Sequence, residues 1–262
     1  MNIVVCVKYV PDAQSDRTFN AEDNTTDRAN VDGLLSEIDE YAVEEALRLA
    51  EAHEGEVTVL TVGPERAADA LKKALQMGAD KGVHVCDDAI HGSDAAATSL
   101  VLAGAITKAT GGSPELVLMG MSSTDGVMGV VPAMVAERLG VPQVTFASEL
   151  TIEGGRVRAR RDGDTASDTI EASLPALVSV TDQINEPRYP SFKGIMAAKK
   201  KPVETWSVAD LGIDPAQVGL AAAWTKVTAF AKRPPRQAGT IITDEGDGGR
   251  KLAEFLSAGK FL

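Results

Sequence analysis

The residues most able to do chemistry lie in a stretch of small and polar side chains at positions 120–131. An apolar run at 116–119 precedes it, which is typical of a strand buried on both faces. From the end of this stretch onward, Met128 and the apolar residues at 131, 135 and 139 recur at helical spacing, which predicts a helix. A strand, a loop and a helix in this order expose free N–H groups that bind anions. The pattern therefore predicts a phosphate cradle.

The cradle would use the whole loop, although neither G-x-G-x-x-G nor G-x-x-x-x-G-K-[ST] is present. The alternative is a glycine-rich turn whose Asp125 only caps the following helix. The candidate residues are Gly120, Met121, Ser122, Ser123, Thr124, Asp125, Gly126, Val127, Met128, Gly129, Val130 and Val131.

Composition narrows the functional class. The 262 residues carry a net charge of −12 and only 4% aromatic residues, which argues against nucleic acid as a partner. No apolar run is long enough to span a membrane and no leader is visible, so we expect a cytoplasmic protein. Cys6 and Cys86 fall in predicted buried strands without a C-x-x-C, and the three histidines lack metal-ligand spacing, so we expect no metal site.

Strands and helices alternate from residue 2 to 140, which predicts an α/β fold: a Rossmann-like parallel sheet with helices on both faces. Asp39 is predicted to cap the first helix and Ser93 the helix at 94–109. Beyond residue 142 the pattern changes to short strands at 144–146, 149–152, 156–161, 169–172 and 176–180, with a hairpin at Gly154 and Gly155.

The last part of the chain is rich in proline and holds Lys199, Lys200 and Lys201. Its aromatic residues lack an obvious core of their own, so we expect an extended C-terminal arm that packs on a partner subunit. The alternative is an arm folded back on its own domain. These patterns divide the chain into an α/β domain at 1–190 and a partner-binding segment at 191–262. The aromatic residues are Trp206, Trp224, Phe230 and Phe255.

Over nearly its whole length the sequence resembles the bacterial β subunits of electron transfer flavoproteins. The residues that carry the resemblance are Val-Cys-Val-Lys at 5–8, Asp-Glu-Tyr-Ala-Val-Glu-Glu-Ala-Leu at 39–47, Ala-Leu-Gln-Met-Gly-Ala-Asp at 74–80, the loop at 120–132, Asn-Glu-Pro-Arg-Tyr at 185–189 and Gly-Ile-Met-Ala-Ala-Lys-Lys-Lys at 194–201. The resemblance implies a non-catalytic electron carrier that pairs with an α subunit. The α subunit would hold most of the FAD, and this chain would bury an AMP without a redox role.

The resemblance also implies partners and contacts. Electrons would come from acyl-CoA-type or other flavin dehydrogenases, as in fatty acid oxidation, and pass to a quinone-reducing acceptor. The AMP contacts would fall on Cys6, Val62 and the loop at 120–131, with Ser36 replacing the asparagine of many relatives at a ribose contact. The docking residues would be Arg188, Tyr189, Phe192, Ile195 and Met196, with Phe192 as the anchor.

Other readings stay open at the level of sequence. Phe192 could pack on its own sheet, and the three lysines at 199–201 could form a solvated helix end. The chain could be a stand-alone nucleotide-binding module of the stress-protein type. It could be a nucleotide hydrolase with a metal at Asp125, although the loop offers no second acid or lysine. In a bifurcating variant of the carrier, a second FAD would replace the AMP.

Overall fold

A nine-stranded, mostly parallel sheet forms the frame of the first 228 residues in the computed structural model. The structure describes residues 1–236 and 238–262, which form one unit at Met1–Thr228 and a second at Ala229–Leu262. The strands in sheet order are β11 (Val203–Trp206), β5 (Lys81–Val85), β4 (Glu56–Val62), β1 (Asn2–Cys6), β6 (Leu116–Gly120), β10 (Ala176–Val180), β7 (Gln143–Glu153), β8 (Arg156–Asp162) and β9 (Ser167–Ser173).

Helices cover both faces of this sheet, as predicted. Because alternate residues of a strand point to opposite faces, Val5 packs in one core cluster while Val4 and Cys6 pack in the other. The first cluster contains α1 (Glu37–His53) and α2 (Ala68–Met77), and the second contains α3 (Ala95–Thr110) and α4 (Val131–Leu139). A small antiparallel pair, β2 (Tyr9–Pro11) and β3 (Gly33–Leu35), lies outside the main sheet. The predicted α/β fold is confirmed.

Both predicted helix caps are wrong. Helix α1 begins at Glu37 after Ser36, so Asp39 lies inside the first turn, and it is buried. In α3 the cap is Asp94, whose Oδ1 accepts a hydrogen bond from the backbone N–H of Ala97 at 3.0 Å. Ser93 instead accepts a hydrogen bond from the backbone N–H of Gly219. Aspartate and serine both favour the N-cap position, and contacts with distant parts of the chain decided which residues occupy it.

The strands after residue 142 also differ in detail from the prediction. The segments at 144–146 and 149–152 belong to one strand, β7, which contains a bulge and a positive φ of 59° at Phe146. The hairpin at Gly154 and Gly155 is confirmed, because β7 and β8 pair antiparallel across it. The chain then returns, and β10 pairs parallel with β6 and β7 in the middle of the sheet.

Strand β11 was missed, and with it the place of Trp206. This strand pairs parallel with β5, and the Trp206 side chain packs in the same core cluster as α3. The expectation that Trp206 belongs to an arm without a core is therefore wrong. The sequence shows no strand pattern here, because three of the four strand residues are exposed and polar and apolar residues do not alternate with burial. The remaining helices are α5 (Phe192–Ala198), α6 (Gly219–Ala222) and, in the second unit, α7 (Gly248–Ala258).

Trp206→Ala should therefore destabilise the full chain. Removing a buried tryptophan costs about 3–5 kcal/mol, so we expect a much lower melting temperature. Trp224→Ala is the matched control, since Trp224 is 90% exposed and should melt like the wild type. Equal melting temperatures for the two variants would show that Trp206 is not a core residue.

Candidate functional site

The loop at 120–131 starts where two central strands end side by side. Strands β1 and β6 pair in parallel, so their carboxyl ends meet, and α1 begins above them. The carboxylate of Asp39 accepts a hydrogen bond from the backbone N–H of Lys8 at 2.8 Å. A Cβ added at Gly120 would lie 2.5 Å from Asp39 Oδ1 and 2.9 Å from the side chain of Ile38. Position 120 therefore needs glycine for close packing against α1.

Burial raises the pKa of Asp39 to about 7. Hydrogen bonds from the backbone at Lys8 and Gly120 and the charge of Lys8 act in the opposite direction, but burial outweighs them. A fully buried carboxylate loses its hydration, so the charged form is costly even with these partners. The junction between the two strands and the helix is thus sensitive to pH.

Two cations converge on the carboxylate of Asp125. Lys8 Nζ lies 2.8 Å from Oδ1, and Arg28 Nη2 lies 2.6 Å from Oδ2. The Asp125 side chain is only 4% exposed, and its burial alone would raise its pKa. The charges of Lys8 and Arg28 outweigh that effect and hold the pKa of Asp125 well below its usual range. Asp125 is therefore an ionised anchor for the loop.

This position of Asp125 excludes its reading as a helix cap. The N-cap of α4 is Val130, which has no side-chain cap, and the helix starts at Val131, so Met128 lies before it. Among residues 1–236 and 238–262, no three His, Cys, Asp or Glu side chains are grouped so that they could hold a metal ion. The paired carboxylate of Asp125 thus gives no support to a metal-dependent hydrolase.

The loop backbone is partly satisfied and partly free. The N–H of Gly126 donates to Asp125 Oδ1 at 2.7 Å, and that of Val127 donates to the Ser123 carbonyl at 3.0 Å. Further along, the amides of Met128, Gly129 and Val130 donate to no residue that the structure describes. They precede the first turn of α4, where N–H groups also lack helical partners. In the described part of the chain, the loop thus has unpartnered amides at positions 122–125 and again at 128–130.

The chemistry of this loop suits an anion. Lys8 and Arg28 carry two positive charges against the full negative charge of Asp125 and the partial negative charge of the buried Asp39, so these four side chains keep a small net positive charge. A helix N-terminus adds further positive potential. The sequence pattern did not indicate these two cations, because it predicted that only backbone groups bind phosphate. Lys8 could have been found, because it lies two residues after the end of β1, but Arg28 lies in an irregular excursion 97 residues from Asp125.

The other predicted nucleotide contacts differ in accessibility. Cys6 is 5% exposed and Ser36 is fully buried, and Ser36 Oγ has no hydrogen-bond partner in the described part of the chain. Val62 is half-buried at the end of β4. Burial raises the pKa of the Cys6 thiol far above its ordinary value, so this thiol stays protonated. The loop and Val62 are the accessible part of the predicted site.

The predicted docking residues lie together in one segment at 188–201, which contains α5. Tyr189 is 92% exposed and Phe192 is 81% exposed, so Phe192 does not pack on its own sheet. Ile195 and Met196 are also exposed, on α5, which begins after the N-cap Ser191. At the end of the segment, Lys201 Nζ donates to the carbonyls of Leu75 and Gly78 at 3.0 Å each. Lys201 therefore caps the C-terminus of α2 rather than lying free in solvent.

Comparison with known proteins identifies the family. The electron transfer flavoprotein domain model matches residues 23–211. The electron transfer flavoprotein subunit beta of Mycobacterium leprae is 51% identical over 266 aligned positions, covering 100% of this chain and 99% of that protein. The chain belongs to the electron transfer flavoprotein family. The corresponding protein of Megasphaera elsdenii is 33% identical, covering 97% of this chain and 96% of that protein. The caffeyl-CoA reductase-Etf complex subunit CarD of Acetobacterium woodii is 35% identical, covering 93% and 92%.

The predicted resemblance to electron transfer flavoprotein β subunits is confirmed by these matches. A function in electron transport follows from the family, and a β subunit implies an α-subunit partner. Within the described ranges, none of the helices combines the length and the apolar character that crossing a bilayer requires.

The buried Asp39 leads to a prediction about pH. Its folded-state pKa of about 7 lies above the ordinary value of 3.8, so the folded chain binds the proton more tightly than the unfolded chain. Stability is therefore lost as the pH rises from about 4 to about 7. Asp39→Asn removes this loss, so the variant should gain on the order of 3–4 kcal/mol relative to wild type over that range.

Urea unfolding at a series of pH values measures this difference. Glu37→Gln is the control, because Glu37 lies in the same turn of α1 but is exposed. A constant difference between Asp39→Asn and wild type from pH 4 to pH 7 would contradict the prediction.

Proposed function

We propose that the chain is the β subunit of a heterodimeric electron transfer flavoprotein and carries electrons without catalytic residues of its own. It would bind AMP structurally, help to enclose an FAD held mainly by the α subunit, and dock acyl-CoA-type or other flavin dehydrogenases. Electrons would then pass to a quinone-reducing acceptor. The observation that carries this proposal is the pairing of an anion-binding loop with a separate exposed apolar segment on one chain.

The loop at 120–131 supports the AMP assignment. A nucleoside monophosphate offers a phosphate dianion, and the loop offers unpartnered amides at positions 122–125 and 128–130 together with the cations Lys8 and Arg28 on Asp125. Exposed apolar side chains of Val127 and Met128 flank these amides and could cover the adenosine moiety. Ser36 is buried in the chain itself, so we assign the ribose contact to accessible groups such as Val62 and the loop backbone.

Gly129→Glu tests the AMP site. Gly129 has a φ of 66°, which disfavours other residues, and a glutamate there would repel the phosphate. We expect AMP binding to weaken at least about tenfold, measured as AMP in acid extracts of the purified heterodimer after dialysis. Gly154→Glu is the matched control, since Gly154 has a φ of 56° in the β7–β8 hairpin, far from the loop in sequence. It should keep one AMP per heterodimer.

The nucleotide content of the heterodimer also distinguishes a carrier that holds AMP from a bifurcating carrier that holds a second FAD. Full AMP occupancy in Gly129→Glu would show that the loop is not the site. Two FAD molecules per wild-type heterodimer and no AMP would favour a bifurcating variant with a second FAD at this loop. That possibility is raised by the similarity to the subunit of the caffeyl-CoA reductase-Etf complex.

The α subunit is the partner proposed for the end of the chain. The second unit, 229–262, exposes large apolar side chains, which a partner surface would bury. We therefore propose that the partner-binding segment at 191–262 divides into docking residues near α5 and an α-binding end, with β11 belonging to the sheet. The exposed apolar residues of the second unit are Phe230, Ile241, Ile242, Leu252, Phe255, Phe261 and Leu262.

Phe192→Ala tests the docking assignment. Phe192 is exposed and apolar, as an anchor that fills a partner pocket must be. Removing such an anchor typically costs about 2 kcal/mol or more, a factor of roughly thirty in affinity. We therefore expect slow flavin reduction by an acyl-CoA dehydrogenase encoded in the same genome, assayed with its acyl-CoA substrate and the purified heterodimer.

Reduction by dithionite, AMP content and melting temperature should stay at wild-type values in this variant. Phe192→Leu keeps most of the apolar side chain and should retain most of the dehydrogenase-linked rate. A normal rate in Phe192→Ala, or a large drop in its melting temperature, would remove Phe192 from the docking surface.

A further inference from the structure

The segment at 185–188, which leads to the exposed Tyr189 and Phe192, is attached to helix α1. Asn185 Nδ2 donates to the Tyr41 carbonyl and to Glu45 Oε2, at 3.1 Å each. Arg48 Nη2 reaches the Glu186 carbonyl at 3.4 Å. Because α1 packs in the main core, these contacts attach the beginning of the segment to a core helix of the first unit.

Arg188 forms the strongest part of this attachment. Its Nε lies 2.7 Å from Glu44 Oε2 and its Nη1 lies 2.6 Å from Glu51 Oε1. Its Nη2 also donates to Glu44 Oε1 at 3.2 Å and to Glu51 Oε2 at 3.3 Å, and its backbone N–H donates to Glu44 Oε2 at 3.1 Å. One guanidinium thus bridges two carboxylates that lie about two turns apart on α1. Such fork-like pairing fixes direction as well as distance.

Glu44 is an unusual partner because its side chain is only 4% exposed. Burial raises its pKa, but hydrogen bonds from Arg188 and Arg48 outweigh burial and keep the pKa below its usual range. Glu44 is therefore charged and needs both cations. A buried carboxylate that loses one partner is strongly penalised, so Arg188 is held in place at neutral pH.

The other end of the segment is fixed to α2. A Cβ added at Gly194 would lie 2.5 Å from the carbonyl oxygen of Gln76, so α5 approaches the end of α2 closely. Lys201 caps the same helix end through Leu75 and Gly78. Tyr189 and Phe192 therefore lie, exposed, between two attachment points.

We infer that Arg188 is a positioning residue for docking: it holds Tyr189 and Phe192 in the conformation that a partner binds. The inference rests on the proposed function of this segment. A free loop must lose conformational freedom when it binds, whereas a loop that is already fixed avoids this cost. Four of the five docking residues, Tyr189, Phe192, Ile195 and Met196, then supply contact area, while Arg188 holds the segment in place.

Arg188→Lys and Arg188→Gln test this inference in the purified heterodimer. Lysine keeps the charge but cannot bridge both carboxylates, and glutamine loses the charge as well. We expect the KM of the acyl-CoA dehydrogenase for the heterodimer to rise about tenfold with Arg188→Gln and less with Arg188→Lys. The kcat should stay within about twofold, because the docked complex is the same once formed. An unchanged KM in both variants would overturn the inference.

A double-mutant cycle with Phe192→Ala separates this inference from the proposed function. If Arg188 acts through Phe192, Arg188→Gln should have little further effect on kcat/KM once Phe192 is alanine. Full additivity of the two losses would contradict the inference and leave the docking function intact. No effect of Phe192→Ala alone would instead contradict the proposed function.

Glu44→Gln distinguishes positioning from direct contact with the dehydrogenase. Glu44 is buried and cannot touch a partner, yet its loss breaks the same attachment and should raise KM in the same direction as Arg188→Gln. If KM is normal in Glu44→Gln but raised in Arg188→Gln, then Arg188 contacts the dehydrogenase itself and the inference is wrong. Glu51→Gln serves as a milder variant if Glu44→Gln fails to fold, because Glu51 is 63% exposed and its loss spares the core.

Discussion

One buried carboxylate, Asp39, joins the ends of the two central strands to the first helix. It accepts a hydrogen bond from the backbone of Lys8 after β1 and lies against Gly120 at the end of β6. This contact sets where the chain leaves each strand. The side chain of Lys8 can then reach Asp125 in the loop that follows β6. The geometry of the loop at 120–131 thus depends on a group that is costly to bury, and for that reason we expect the stability of the fold to depend on pH.

Helix α1 serves two separate surfaces. Its first turn holds the strand ends through Asp39, and its later turns hold the segment at 185–188 through Glu44, Glu45 and Glu51. The two surfaces are built on one rigid helix, so each keeps its place without long loops of its own.

The local charges differ in sign from the charge of the whole chain. The net charge is −12, but Lys8 and Arg28 leave a positive site beside the loop, and Arg188 and Arg48 neutralise the acidic face of α1. A net negative charge therefore argues only against the binding of large polyanions such as nucleic acid. A single phosphate responds to the few groups within a Debye length, which explains how an acidic chain can offer an anion site.

The sequence by itself determined the alternation of strands and helices, the parallel sheet, the hairpin at Gly154 and the position of the loop at 120–131. These follow from periodic patterns and from turn residues, which act over a few neighbours along the chain. The resemblance located Phe192 and its neighbours, and the structure then showed them exposed.

Only the tertiary structure decided the groups that meet across long separations. Arg28 meets Asp125 across 97 residues, and Arg188 meets Glu44 across 144. Only the structure shows that Asp39 is a buried contact between strand ends rather than a helix cap. It also shows that Trp206 lies in the core, on a strand whose sequence has no alternation of polar and apolar residues. The physical reason is the same in each case. A charge or an edge strand gains its partner from the order of strands in the sheet, and local propensity does not encode that order.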